Sequence, residues 1–167
     1  MIEKFYKKIP YKLPYKTPYR KALFIVAYKI IDNNIKYLIL KRKLHWKGWE
    51  FPKGGVELFE TKKMAVKRET MEETGLKINK IVNHKISGKY DYKKVLPDRP
   101  YKGQSYQLYS VELIDGIVKV DHREHSSYLW LPYEKALKRL TWNNQKDCLK
   151  IVNDSLVTLT SRGGHVT

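Results

Sequence analysis

The stretch Gly54-Gly55-Val56-Glu57-Leu58-Phe59-Glu60-Thr61-Lys62-Lys63-Met64-Ala65-Val66-Lys67-Arg68-Glu69-Thr70-Met71-Glu72-Glu73-Thr74-Gly75-Leu76 decides the reading of this chain. It sets five glutamates in a short segment of a protein that carries 34 Lys and Arg against 17 Asp and Glu, a formal net charge of +17. Carboxylates crowded in this way repel one another. A hard divalent cation relieves that repulsion, because it prefers oxygen ligands and tolerates dense negative charge.

Local signals place a helix over residues 61 to 74. Thr61 is the expected N-cap, Gly75 the left-handed C-cap, and no proline intervenes. At about 100° per residue, Glu69, Glu72 and Glu73 share an arc of roughly 100° on one face. Met64 and Met71, on the other side, are expected to anchor the helix to a core. Arg68 precedes Glu72 by one turn and neutralises or orients it. A glutamate-rich helix is ordinarily a solvated face; here the spacing argues otherwise. Gly, five residues, Glu, seven residues, Arg-Glu, two residues, Glu-Glu, one residue, Gly and an aliphatic residue is the Nudix box. At Gly54, Glu60, Arg68, Glu69, Glu72, Glu73, Gly75 and Leu76 the chain resembles the Nudix hydrolase family, departing only at Thr70, where the family carries an aliphatic residue.

The resemblance implies an α+β or α/β fold, a mixed β-sheet sandwiched between helices, with the box as loop–helix–loop. It implies hydrolysis of a nucleoside diphosphate linked to another group X. It further implies Mg²⁺, with Mn²⁺ able to substitute, held by Glu69, Glu72, Glu73 and the Gly54 carbonyl. Arg68 then orients Glu69 or Glu72, while Glu60 and Gly75 are structural. Such cations offset pyrophosphate charge and acidify an attacking water. Which glutamate serves as general base is left open.

At 167 residues and 19.9 kDa the chain suits one domain, and its 42 % hydrophobic content suffices for a core. The single cysteine, Cys148, excludes an internal disulfide and fits a reducing cytoplasm. No apolar run reaches membrane-spanning length, and the N-terminus lacks the apolar core of a signal peptide. The expectation is a soluble cytoplasmic protein whose positive charge favours polyanionic partners.

Three divisions are expected: a basic arm at 1–21, the hydrolase domain at 22–157 and a flexible tail at 158–167. The arm repeats Pro-Tyr-Lys/Arg at Pro10, Pro14 and Pro18. Frequent prolines forbid a regular helix, and Tyr alternating with Lys either stacks on single-stranded nucleic acid or packs on the domain. Strand-like runs follow at 22–28 and 37–40, across a turn at Asp32-Asn33-Asn34, then near 79–91, 104–114 and 128–131. Helices are expected from Pro132 to about Leu140 and over 143–156. Strands and helices intermixed support a layered sandwich.

Outside the box, Trp49 to Glu57 is similar to the approach to the box in Nudix enzymes that cleave dinucleoside polyphosphates or trim RNA 5′ ends. Glu124 to Leu131, with Leu140, Thr141, Trp142 and Gln145, is similar to asymmetrical diadenosine tetraphosphate hydrolases. By that likeness Glu124, near Asp121 and His125, is a further metal ligand from a loop. Lys53 is placed to meet a phosphate. Tyr90, Tyr92 and Tyr128, with Tyr101 and Tyr106, are the aromatic candidates for substrate contact. The substrate implied is diadenosine tetraphosphate or a related dinucleoside polyphosphate. An RNA 5′ pyrophosphohydrolase or mRNA-decapping enzyme is the alternative, with inositol pyrophosphates, ADP-ribose and oxidised nucleotides further off. A non-catalytic binding module is the third class, against which the intact Glu69, Glu72 and Glu73 argue. Oligomeric state is not legible.

Overall fold

The computed structural model describes residues 19–93 and 101–162. Among these residues seven strands and three helices follow one another as β1 (Tyr19–Ile31), β2 (Asn34–Arg42), β3 (Gly48–Glu50), β4 (Lys53–Gly55), α1 (Lys62–Thr74), β5 (Ile78–Asp91), β6 (Gly103–Leu113), β7 (His125–Leu131), α2 (Tyr133–Arg139) and α3 (Asn143–Arg162). Of the expected N-terminal arm, residues 1–18 lie outside the described residues, and Tyr19, Arg20 and Lys21 are the first residues of β1. Helix α3 continues through Arg162 rather than stopping near Leu156. No proline or glycine interrupts its chain before Gly163.

The sheet is mixed. Its main path is β3-β2-β1-β6-β5, with β4 added to β1 and β7 added to β2. Among the described strands only β1 and β6 run parallel, pairing from Tyr19↔Gly103 to Tyr28↔Glu112. The β1–β2 hairpin turns on Asp32 and Asn33, with φ of 48° and 60°, the two left-handed residues that a tight hairpin requires and that Asp and Asn tolerate. Strand β1 is apolar on both faces, and alternation divides it between two cores. Leu23, Ile25 and Ala27 pack with Leu38, Leu40 and the α1 residues Ala65 and Val66. Phe24, Val26 and Tyr28 pack on the opposite face with Ala136, Leu140, Leu149 and Val152 of the α2–α3 layer. The expected sandwich of a mixed sheet between helices is therefore present.

Helix α1 is capped as its sequence requires. The Thr61 side chain accepts from the Met64 N–H, and Gly75 closes the helix at φ 68°. Its buried residues are Ala65, Val66, Thr70, Glu73 and Thr74. Met64 and Met71 are instead 53 % and 47 % exposed, which corrects the expectation that they anchor the helix. The face that meets the sheet is the one carrying Glu73, so the functional face and the packing face overlap.

Thr70 is fully buried, and among the described residues its Oγ1 has no hydrogen-bond partner. A buried hydroxyl left in that state costs on the order of 1–3 kcal/mol. Thr70→Val, of nearly the same shape, is expected to stabilise the protein by about 1 kcal/mol. Urea titration checks this as a higher midpoint at unchanged slope.

Candidate active site

Strand β4 and helix α1 build the site together. Phe24 pairs with Lys53 and Leu23 with Gly54, so β1 holds β4 against the helix. The Lys53 N–H then donates to Glu73 Oε2 at 3.1 Å. The Glu69 carboxyl lies directly over Gly54, where a Cβ would fall 1.9 Å from its Cδ. Glycine is thus required at 54 by close approach: any side chain would displace Glu69.

Arg68 ties this arrangement together. Nε donates to Glu60 Oε1 at 2.8 Å and Nη2 to Glu60 Oε2 at 2.9 Å. Nη2 also donates to the Gly55 carbonyl at 2.9 Å, and Nη1 to Glu69 Oε1 at 2.8 Å and Glu72 Oε2 at 3.3 Å. Glu60 in turn accepts the Glu57 N–H at 2.9 Å, which closes the loop before α1. Arg68 hydrogen bonding, helped by the Glu57 N–H, holds the Glu60 carboxyl below its ordinary range.

Two carboxyls are displaced upward. Burial raises Glu69 against the opposing pull of Arg68. Glu73, 5 % exposed, is raised well above the ordinary glutamate value. Burial is the main cause, followed by the charges of Glu50 and Glu69, and Glu124 adds to them. Burial together with neighbouring carboxylates disfavours the charged form of both groups, and a nearby cation would favour it.

A second cluster lies beside it. Glu50, wholly buried, meets Lys53 Nζ at 2.7 Å, His125 Nε2 at 3.1 Å and Arg42 Nη1 at 3.3 Å. Burial alone would raise its carboxyl, but Lys53, the His125 hydrogen bond and Arg42 outweigh burial and hold it at about 2. Arg42 Nη1 also pairs with Glu124. Sequence reasoning singled out Lys53, His125 and Glu124 but not Glu50 or Arg42. Glu50 ends the three-residue strand β3, which is too short to give a periodic signal.

The aromatic candidates divide. Tyr90 donates to Gln104 Oε1 and stands edge-on to Tyr92 at 6.1 Å. Tyr106 stacks on Phe24 at 4.1 Å and belongs with the α2–α3 core. Tyr128 is 39 % exposed on β7, two residues before Trp130, which packs on the α1 core. Strand alternation puts Tyr128 on that same face, away from Tyr90 and Tyr106. The three tyrosines expected at the substrate are therefore not brought together. Trp46 and Trp142 are, edge-to-face at 5.2 Å, with Lys53 Nζ 5.5 Å from the Trp46 ring and Lys93 Nζ 5.8 Å from that of Trp142. The backbone joins the same region: Thr141 Oγ1 accepts from Trp49 N and Gln145 Oε1 from Phe51 N.

The family model for the NUDIX domain matches residues 8–150. The chain belongs to the NUDIX domain family. A protein of a Nitratiruptor species, named an RNA pyrophosphohydrolase, is 29 % identical over 127 residues, spanning 70 % of this chain and 82 % of that protein. Among solved structures, a C. elegans Ap4A hydrolase binary complex superposes with a TM-score of 0.69 at 24 % identity, over 83 % of this chain and 98 % of that one. The NUDIX domain of Shewanella oneidensis NrtR, complexed with ADP ribose, superposes at 0.70 and 14 % identity, over 93 % and 97 %. At such identities the superpositions speak for the fold. Membership makes the chain a hydrolase of pyrophosphate bonds.

Hydrolases of this family generally use divalent cations such as Mg²⁺. The donors here fit one chemically: all are hard oxygens, and Glu73 and Glu69, raised chiefly by burial, would be favoured in their charged form by a cation. Among the described residues no three His, Cys, Asp or Glu side chains form a ready-made ligand set, and Glu72 is turned to Arg68. Nor does any helix among the described residues have the length and apolarity to cross a membrane.

Proposed function

We propose that the chain hydrolyses a dinucleoside polyphosphate, such as diadenosine tetraphosphate, at carboxylates on α1. Glu69 and Glu73, with Glu72, Glu124 and the Gly54 carbonyl, would hold Mg²⁺ or Mn²⁺. Such a cation, when bound, offsets polyphosphate charge and acidifies the attacking water. Arg68 fixes Glu69 and the loop that carries Glu60. Lys53 contributes positive charge at the boundary between carboxylates and tryptophans, where a phosphate of the substrate would lie. Water attacks one phosphorus, the bridging P–O bond breaks, and the oxygen leaves with the other nucleotide.

The observation that carries the nucleotide reading is the Trp46–Trp142 pair with its two lysines, joined to the carboxylates through Lys53. An aromatic face beside positive charge suits a base next to phosphates, and such stacking contributes about 1–3 kcal/mol per base. Trp142→Ala is therefore expected to raise KM about 5- to 150-fold, with kcat changing much less. Steady-state kinetics checks it, and an unchanged KM would remove the tryptophans from the substrate site.

A second reading, an RNA 5′ pyrophosphohydrolase, draws on the 29 % identical relative and on the net charge of +17. Diadenosine tetraphosphate, 5′-triphosphorylated RNA, capped RNA, ADP-ribose and an inositol pyrophosphate compared at fixed Mg²⁺ separate the two. An RNA preference that weakens steeply with salt would mark the second.

A further inference from the structure

The loop before β7 and the first residue of β7 are fastened to neighbouring segments by three separate links, two at the end of β2 and one to Glu50 of β3. The Glu124 carbonyl accepts from Lys43 N at 2.9 Å. The Glu124 carboxylate pairs with Arg42 Nη1. His125, which follows it, sends Nε2 to Glu50 at 3.1 Å, and both of those side chains are wholly buried. Arg42 is itself fixed: Nε donates to the Leu44 carbonyl at 3.0 Å, and Nη1 is shared between Glu50 and Glu124. Asp121 shapes the turn, its carbonyl accepting from the N–H groups of both Glu124 and His125.

Beside these backbone hydrogen bonds the loop carries charged links whose exposure is unequal. Glu124 is 36 % exposed at its side chain while Arg42 is 5 % exposed. The carboxylate is thus the exposed partner of a buried guanidinium, and its charge adds to those that raise Glu73. Glu50 is the buried counter-charge, and it also binds Lys53, whose N–H holds Glu73. One buried glutamate therefore links the loop carboxylate, through Arg42, with Lys53 and the box helix. From this geometry we infer that Arg42 and Glu50 form a positioning clamp that fixes Glu124, and with it the cation affinity of the site. Neither touches substrate; both act through Glu124 and Lys53. The inference rests on the reading of Glu124 as a cation donor.

Arg42→Gln, Glu124→Gln and the double variant test it by two readouts: Mn²⁺ affinity of the substrate-free protein by electron paramagnetic resonance, and the Mg²⁺ needed for half-maximal hydrolysis. Groups that orient a metal ligand typically change affinity or activity roughly 10- to 100-fold. R42Q and E124Q are each expected to weaken Mn²⁺ within that range. The double variant should be no weaker than E124Q alone, since Arg42 acts through Glu124. Arg42→Lys, which keeps the charge but not the fork shared between Glu50 and Glu124, is expected to weaken Mn²⁺ less than R42Q yet measurably below the wild type, and serves as the test if R42Q does not fold. A normal Mn²⁺ affinity in R42Q, or in R42K if that is the folded variant, beside a weakened E124Q would overturn the clamp alone. A normal affinity in E124Q would overturn the donor reading beneath it and the inference with it.

Discussion

Glu73→Gln is expected to reduce pyrophosphate hydrolysis by on the order of 10³-fold, equivalent to about 4 kcal/mol of transition-state stabilisation, while making the metal-free protein more stable at neutral pH. The two effects share one cause. Glu73 is buried among Glu50, Glu69 and Glu124, and its carboxyl is raised well above the ordinary value. A group whose folded pKa is raised binds its proton more tightly in the folded than in the unfolded chain. Its contribution is whole below the unfolded value, about 4.3, and is lost as pH rises through the folded value. The metal-free wild type should therefore lose stability relative to E73Q as pH climbs from about 4.3. Glu50 titrates the opposite way, its carboxyl held at about 2, so its contribution disappears as pH falls below about 4.3. It is present in both proteins, so the difference between their melting curves reports Glu73 together with its coupling to Glu50 and Glu69. The amide oxygen of Gln retains the acceptor for Lys53 N–H, which keeps the fold out of the comparison. Adding Mg²⁺ should favour the wild type and shrink or reverse the difference. Thermal melts at several pH values, with and without Mg²⁺, check this beside an activity assay. Wild-type turnover in E73Q would sink the assignment of Glu73.

What the sequence made legible was local. Thr61 and Gly75 announced the ends of α1 because capping is decided within one turn. Asp32 and Asn33 announced the hairpin for the same reason. Helix spacing set Arg68 one turn before Glu72, since helix geometry fixes that distance; Gly54 under Glu69 and Glu60 on Arg68 depend on β4 and the loop before α1, which helix spacing does not fix. Burial was less legible. Met64 and Met71 share a helical stripe, yet the sheet packs against Ala65, Val66 and Thr70. On a short helix a carboxylate face, once engaged by β4, decides which residues point inward. Long-range polar contacts were not legible at all. Glu50 meets His125 across 75 positions and Trp46 meets Trp142 across still more, and neither pairing has a periodic signature. Tyr128 looked equivalent to Tyr90 in the sequence; strand parity, visible only in the paired sheet, separates them.

Arg68→Lys is expected to cost about 2–3 kcal/mol of stability and roughly 10- to 100-fold in turnover, though the charge is conserved. The wild-type guanidinium makes two bonds to Glu60, one to the Gly55 carbonyl, one to Glu69 and one to Glu72. Those bonds leave a planar fork in fixed directions, which a lysine ammonium on a flexible stem does not reproduce. Lysine would keep a carboxylate or two and surrender the rest. Hydrogen bonds between charged groups contribute about 1.5–3 kcal/mol each at best, and part of this one is screened because Arg68 is 23 % exposed at its side chain. The stability cost should therefore be well below the sum of five such bonds. The catalytic cost has a different origin. Freed from Arg68 Nη1, Glu69 loses the cation that opposes its burial and its fixed position over Gly54. Its carboxyl would move further up, and the activity profile of R68K should shift toward higher pH than that of the wild type. Measuring turnover against pH alongside urea denaturation separates the two costs. A stability loss with an unshifted, undiminished profile would leave Arg68 as scaffold for the Glu60 loop only.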